Sequence, residues 1–174
     1  MPSDEELIGA VAGGDERALE TLCGRYQRPL YGFIARHTGG SDVEDIYQET
    51  WLRVVRSATR FDRTRRFSTW LFQIAVNLCR DWHRRPRLEA VEPSEGERRI
   101  GTYDPGARLD ASLDVERLLA RLPEPQRSVV ILRYYQGFGE AETAEILGCP
   151  AGTVKSRLHN ALARMLAAAR EGAA

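Results

Sequence analysis

Lysine is almost missing from this sequence: Lys155 is the only one among 25 basic residues. Genome composition explains an arginine bias as readily as guanidinium chemistry does, so the bias assigns no function. Cysteine is also scarce. Cys23, Cys79 and Cys149 lie far apart among apolar neighbours, which excludes a disulfide framework and any CxxC metal pair and predicts buried, reduced thiols. The three histidines, His37, His83 and His159, are scattered. No serine, cysteine or lysine has a legible base and orienting acid beside it, so nothing supports catalysis, and neither a cofactor nor a metal is expected. No run approaches the roughly 18 apolar residues needed to cross a bilayer. The opening MPSDEELIGA is acidic and lacks an apolar signal-peptide core, so a cytoplasmic protein is expected. Net charge excludes nothing, because 25 basic residues balance 25 acidic ones; a polyanion-binding surface has to come from local asymmetry.

Strand signals are nearly absent, whereas helix signals recur. Ser3 with Glu6, and Ser41 with Glu44, each make a Ser-x-x-Glu capping box ahead of an apolar-periodic run. The first opens a helix through Leu7, Ile8 and Val11. A second, from about Glu16, carries Leu19, Leu22, Cys23, Tyr26, Leu30 and Phe33 and ends near Gly39 and Gly40. A third is predicted from about Asp42 to Ala58, and a fourth from about Thr69 to Arg84, N-capped by Ser68. Between Leu88 and Asp110 periodicity fails, and Pro93, Gly96, Gly101, Pro105 and Gly106 stand among charges, which is linker composition. Helices resume near Ser112, break at Pro123 and Pro125, run through Val129, Val130 and Leu132, and end at Gly137. The expected fold class is all-α: two small helical domains, 1–87 and 111–170, joined by a flexible linker, 88–110.

The stretch GCPAGTVKSRLHNA, residues 148–161, reads as the turn and second helix of a DNA-binding helix-turn-helix. Ala144, Leu147, Gly148, Val154 and Leu158 sit where that motif needs a small residue between helices, a core anchor, a helix-ending glycine and two inward-facing residues. Val154, Leu158, Ala161 and Met165 recur at 4-3-4 spacing, one inward face. The opposite face offers Ser156, His159 and Asn160 for base edges, flanked by Lys155 and Arg157 for phosphates. From Ala151 to Arg170 there are three Arg and one Lys and no acid. A solubilising basic helix would need no Gly148 turn before it.

The N-terminal half carries a second candidate surface. On the fourth helix Trp70, Ile74, Leu78 and Trp82, with Leu71 and Ala75, are expected to form the core side, and Gln73, Asn77, Arg80 and Arg84 an outward polar stripe. Just before it, RFDRTRRF from Arg60 to Phe67 mixes four arginines with two phenylalanines, a composition suited to single-stranded nucleic acid. Burial of Phe61 and Phe67 as loop anchors explains the rings equally well. On the third helix Asp42, Asp45 and Glu49 precede Arg53 and Arg56, which complements the helix dipole and supplies a Glu49–Arg53 pair without any partner. Those three carboxylates lack a histidine that would argue for a divalent metal.

Three blocks in order, DVEDIYQETWLRVVR, RFSTWLFQIAVNLCRDWHRR and LPEPQRSVVILRYYQGFGEAETAEILGCPAGTVKSRLHNALARM, together resemble a bacterial RNA polymerase sigma factor of the extracytoplasmic-function type, which has only region 2 and region 4. The resemblance implies that Asp42, Asp45, Gln48 and Glu49 face the clamp coiled coil of the polymerase largest subunit. It implies that Asn77, with the loop carrying Phe61, Arg66 and Phe67, reads a base flipped from the non-template strand of the minus-ten element, with Arg80, Arg84 and Arg85 near the DNA backbone. In region 4, Arg133, Lys155, Ser156, Arg157, His159 and Asn160 would meet the minus-thirty-five element. Asn160 stands where the family often has Arg, which bears on the sequence recognised. An anti-sigma partner is implied as well. Two other classes are an autonomous operator-binding dimer built on residues 139–166 and a helical enzyme dependent on Asp45 or Glu49.

Overall fold

The structure, a computed structural model, describes residues 1–85 and 109–172. The described residues are helical with no strand: α1 (Asp4–Ala12), α2 (Glu16–Thr38), α3 (Val43–Ser57), a 3-10 turn (Ala58–Arg60), α4 (Phe67–Arg84), α5 (Leu109–Ala120), α6 (Glu124–Val130), a π turn that prolongs it (Ile131–Tyr135), α7 (Glu140–Leu147) and α8 (Ala151–Gly172). The expected linker falls outside the described residues apart from its last two positions, which already belong to α5. None of the described helices is long and apolar enough to cross a membrane.

Caps explain some of the helix boundaries. The Ser3–Glu6 capping box forms as expected, and the Asp15 carboxylate accepts the Arg17 and Ala18 amides to start α2. The box expected at Ser41 does not form. Asp42 precedes α3 in the left-handed region, at φ 51°, and makes no side-chain cap; its carboxylate accepts Trp82 Nε1–H at 2.6 Å, tying the start of α3 to the end of α4. Nor is Ser68 a cap, because it lies inside α4 and Arg66 precedes the helix. The first amide of α4, Phe67 N–H, is satisfied from another element, by the Glu5 carboxylate of α1 at 2.9 Å. Pro125 sits in the first turn of α6, where a missing N–H costs nothing, so it opens the helix rather than breaking it.

The buried face of α4 is wider than the repeat of Trp70, Ile74, Leu78 and Trp82 predicts. Leu71, Phe72, Ala75, Val76, Leu78 and Cys79 are buried, while Trp70, Ile74 and Trp82 are only half-buried. The reason is that α4 packs on two sides: against α2 and α3 of its own unit, and against α7 of the C-terminal unit. Burial pushes the Cys79 thiol up to about 12, consistent with an inert reduced thiol. Cys23, half-buried and likewise raised, and Cys149 are free thiols too.

The two units are therefore packed together, and their buried side chains form one continuous apolar cluster. Phe72 of α4 meets Phe138 edge to face at 5.1 Å between centroids, and on its other side meets Phe33 of α2 at 5.4 Å. Gln136 donates from Nε2 to the Pro29 carbonyl at 3.1 Å. Arg127 donates to the carbonyls of His37, Ala120 and Leu122, at 2.8 to 3.0 Å, clamping the end of α2 to the end of α5.

Phe33 is fully buried at the centre of this arrangement. Phe33→Ala should cost about 3–5 kcal/mol in chemical denaturation; a loss below about 1 kcal/mol would show that the site is not a packed core.

Candidate nucleic-acid interface

In the C-terminal unit the turn is built as the sequence requires. Gly148 takes φ +64°, and the amides of Gly148 and Cys149 return to the end of α7, with Cys149 N–H to Ala144 O at 3.0 Å. Leu147, Val154 and Ala161 are buried, and Ala144, Leu158 and Met165 pack half-buried against them. This leaves the first turns of α8 with a polar outer face. Lys155, Ser156, His159 and Asn160 are exposed. Lys155 Nζ lies 3.6 Å from Glu140, the Ser156 hydroxyl donates to Thr153 O within its own turn at 3.1 Å, and half-buried Arg157 lies 3.8 Å from Cys149 Sγ. Arg133 stands apart from this group. It is half-buried in the π turn and donates to the Phe138 carbonyl, which makes it a clamp on the entry to α7.

In the N-terminal unit the loop before α4 is ordered by its aromatic residues. Phe67 has no exposed surface and contacts Tyr26, Phe61 and Trp70. It anchors the loop and offers no ring to solvent. Phe61 is half-buried, 4.9 Å from Trp70, and Asp62 accepts the Thr64 amide and hydroxyl to turn the chain. Gly9 of α1 lets Arg63 approach closely; a methyl group there would collide with its guanidinium. Asn77, Arg84 and Arg85 are exposed, and Arg84 lies 3.7 Å from Asp81.

Three further arginines of this surface pair with carboxylates of the other unit. Arg66 pairs with Glu142, Arg65 Nε donates to Glu145 at 2.8 Å and Arg80 Nε to Glu124 at 3.2 Å. Arg65, which the sequence analysis did not single out, also donates to Gln73 at 3.2 Å. On α3, Asp45, Gln48 and Glu44 are exposed, Gln48 donates to Glu44, and Glu49 accepts from Arg53 at 3.0 Å as its i,i+4 spacing predicts. Among the described residues no cluster of carboxylates, cysteines and histidines could hold a metal ion.

A buried polar chain seals the seam. Ser128 donates its one hydroxyl proton to Glu124 at 2.8 Å, so His37, 2.6 Å away, must donate to Ser128 Oγ from Nε2. That tautomer leaves His37 Nδ1 unprotonated and, among the described residues, without a hydrogen-bond partner. His83 donates to the His37 carbonyl at 3.0 Å. Nothing in the sequence flags His37, because a lone histidine carries no periodic or spacing signal.

Two family models match the chain: Sigma-70 region 2 over residues 22–88, and Sigma-70 region 4 over residues 112–165. The chain is a sigma-70 family member. Its relatives place it in the extracytoplasmic-function branch. It is 32% identical to the ECF RNA polymerase sigma-E factor of Haemophilus influenzae, over 91% of each chain. It is 37% identical to the ECF sigma factor SigM of Mycobacterium tuberculosis, over 94% of this chain and 83% of that one. Among solved structures it resembles CnrH in complex with the cytosolic domain of CnrY, with a TM-score of 0.74 and 28% identity over 98% of this chain and 99% of that one. An alternative sigma factor for promoter-specific initiation thus accounts for both units, and the all-α two-domain fold is that of region 2 and region 4.

The seam gives this sigma factor a pH dependence. Burial, with the positive charges of His83, Arg127 and Arg80, holds the His37 imidazole down at about 3 from its ordinary 6.5. The ring is neutral, so its 3.6 Å approach to Glu124 is no ion pair. The folded state binds fewer protons than the unfolded one, so stability is full above pH 6.5 and declines as pH falls from there towards 3. Thermal unfolding of wild type should lose more between pH 7 and 5.5 than that of His37→Gln; parallel curves would contradict the buried neutral ring.

Proposed function

We propose that this chain binds core RNA polymerase and reads two separated promoter elements, residues 111–170 reading the minus-thirty-five duplex and residues 1–87 capturing the minus-ten strand, with 88–110 as the tether. The observation that carries the reading is α8, whose outer face exposes Ser156, His159 and Asn160 beside Lys155 and Arg157 directly after the Gly148 turn. Neutral hydrogen-bonding groups flanked by cations suit base edges flanked by phosphates. Arg133, half-buried, would reach the DNA backbone only at the motif's edge.

For the minus-ten element, Asn77 is the exposed hydrogen-bonding group on α4, and Arg66, Arg80, Arg84 and Arg85 supply cations around it. Phe61 borders this surface, and Phe67 supports the loop from beneath. Separating a duplex costs about 1.4 kcal/mol per base-pair step, whereas one captured, stacked base returns roughly 1–3 kcal/mol. One pocket cannot hold a bubble open, so the polymerase has to stabilise the separated strands. Asp42, Asp45, Gln48 and Glu49 of α3 are the proposed docking face for the clamp coiled coil of its largest subunit. The factor acts without turnover chemistry of its own, in the cytoplasm, and on the nucleoid once it is part of the holoenzyme. An anti-sigma protein is the expected inhibitor, a reading supported by the capture of CnrH with a protein partner, the cytosolic domain of CnrY.

Run-off transcription with core polymerase tests the whole reading: the chain should confer initiation at particular promoters, which an autonomous operator-binding dimer would not do. Asn77→Ala should impair promoter opening and leave affinity for core polymerase intact; an equal fall in both would make the residue structural. Asn160→Ala should cost about 1–3 kcal/mol at a single upstream base pair, measured by competition among single-base variants, and uniform weakening at all positions would contradict base reading.

A further inference from the structure

We propose that Arg63, seated in a notch at Gly9 of α1, is a further phosphate-binding residue for the captured strand, with Gly9 and Glu5 as its positioning residues. The inference rests on the strand-capture reading given above and adds to it an element, α1, that the reading does not use. Three observations tie α1 to the loop before α4. The Glu5 carboxylate accepts the Phe67 amide at 2.9 Å, which fixes the far end of the loop. Asp4 accepts the Tyr26 hydroxyl at 2.5 Å, and the Tyr26 ring stands edge-on to Phe67, 5.4 Å between centroids. At Gly9 the Arg63 guanidinium comes so close that a methyl group would stand 2.7 Å from its Cζ, well inside van der Waals contact.

The glycine serves this seat. Gly9 lies inside a helix, without the positive φ that would demand glycine for the backbone, and a glycine there weakens the helix relative to alanine. The nearest atoms a methyl group would meet all belong to the Arg63 guanidinium. The cation held there is also uncommitted. Its neighbour Asp62 accepts the Thr64 amide and hydroxyl, and among the described residues no carboxylate pairs with the exposed Arg63 side chain. Arg65 and Arg66 of the same loop pair instead with Glu145 and Glu142. A guanidinium with free N–H groups matches the oxygens of a phosphate. Resting it against α1 restricts its rotamers before a strand arrives, so less side-chain entropy is lost on binding.

The test uses the full chain assembled with core polymerase, and as probe a fluorescent single strand copied from a promoter that run-off transcription with this chain identifies. Alanine is the better helix former at position 9, so Gly9→Ala should melt no lower than wild type and bind core polymerase equally well. Its strand affinity, read by anisotropy, should nevertheless fall about two- to fivefold. The slope of log affinity against log salt should become shallower by about 0.7, the loss of one phosphate contact. Arg63→Ala should show the same fall, and Gly9→Ala should add nothing in its background. Wild-type strand affinity in Gly9→Ala, or effects of the two substitutions that simply add, overturns the proposal. Glu5→Ala should also weaken the strand, whereas Glu5→Gln, which can still accept the Phe67 amide, should restore it; equal losses in both remove Glu5 from the positioning role. Asn77→Ala separates the two readings. If it weakens the strand while the Gly9 and Arg63 substitutions do not, this proposal alone falls; if none of the three weakens it, the capture reading falls too.

Discussion

Everything in this molecule is organised by the double packing of α4. One amphipathic helix of 18 residues must bury Leu71, Ala75 and Leu78 in the N-terminal core, place Phe72 between Phe33 and Phe138, and still carry Asn77 and its arginines at an accessible edge. Because the apolar arc serves two neighbours, the polar arc left over is narrow, and its cations fall beside the carboxylates of α6 and α7. The start of α4 is fixed by Glu5, its end by Trp82 on Asp42, and its far side by Phe138. A shift in any of these would move the Asn77 edge as a rigid unit.

The interactions across the seam differ in strength. Half-exposed ion pairs contribute only about 0.2–1 kcal/mol each, so the three arginine pairs specify the alignment of the units more than they hold them. The holding falls to the apolar cluster and to the sealed chain from His37 through Ser128 to Glu124, whose disruption exposes buried polar atoms. Region 4 is built differently. Its α8 is held by Val154, Leu158 and Ala161 from within, and among the described residues the first turns of its outer face pair locally, with Glu140, Thr153 and Cys149. The outer face of α8 is therefore open, while the arginines along the edge of α4 are paired within the protein.

Much of this was legible in the residues. The helix-turn-helix could be read because its signals are local: a glycine that must be left-handed, a proline that cannot continue a helix, and a 4-3-4 apolar repeat. The two-region order was equally plain, but of the polar stripe expected to face outward only Asn77 and Arg84 are exposed, while Gln73 and Arg80 are half-buried, Arg80 against Glu124 of the other unit. The caps at Ser41 and Ser68 were misread because a serine before an apolar run is a local cue, whereas Asp42 and Glu5 act through partners far along the chain. The core side of α4 is wider than its repeat suggests, since a single-core repeat cannot anticipate a second unit covering Phe72. The seam itself was invisible. Arg66 and Glu142 are 76 residues apart, Arg65 and Glu145 are 80 apart, and no periodicity links them. Phe67 illustrates the remaining ambiguity: a phenylalanine among arginines fits a stacking platform or an anchor, and only packing decides that here it is an anchor.

The most direct test of the central claim, that α4 packs against both units and joins them, is the distance between the two units in the free chain. Pulsed electron paramagnetic resonance between one spin label on exposed α3 and one on the outer face of α8 would report it. A single short, narrow distance is the predicted result. A broad, long distribution would contradict it.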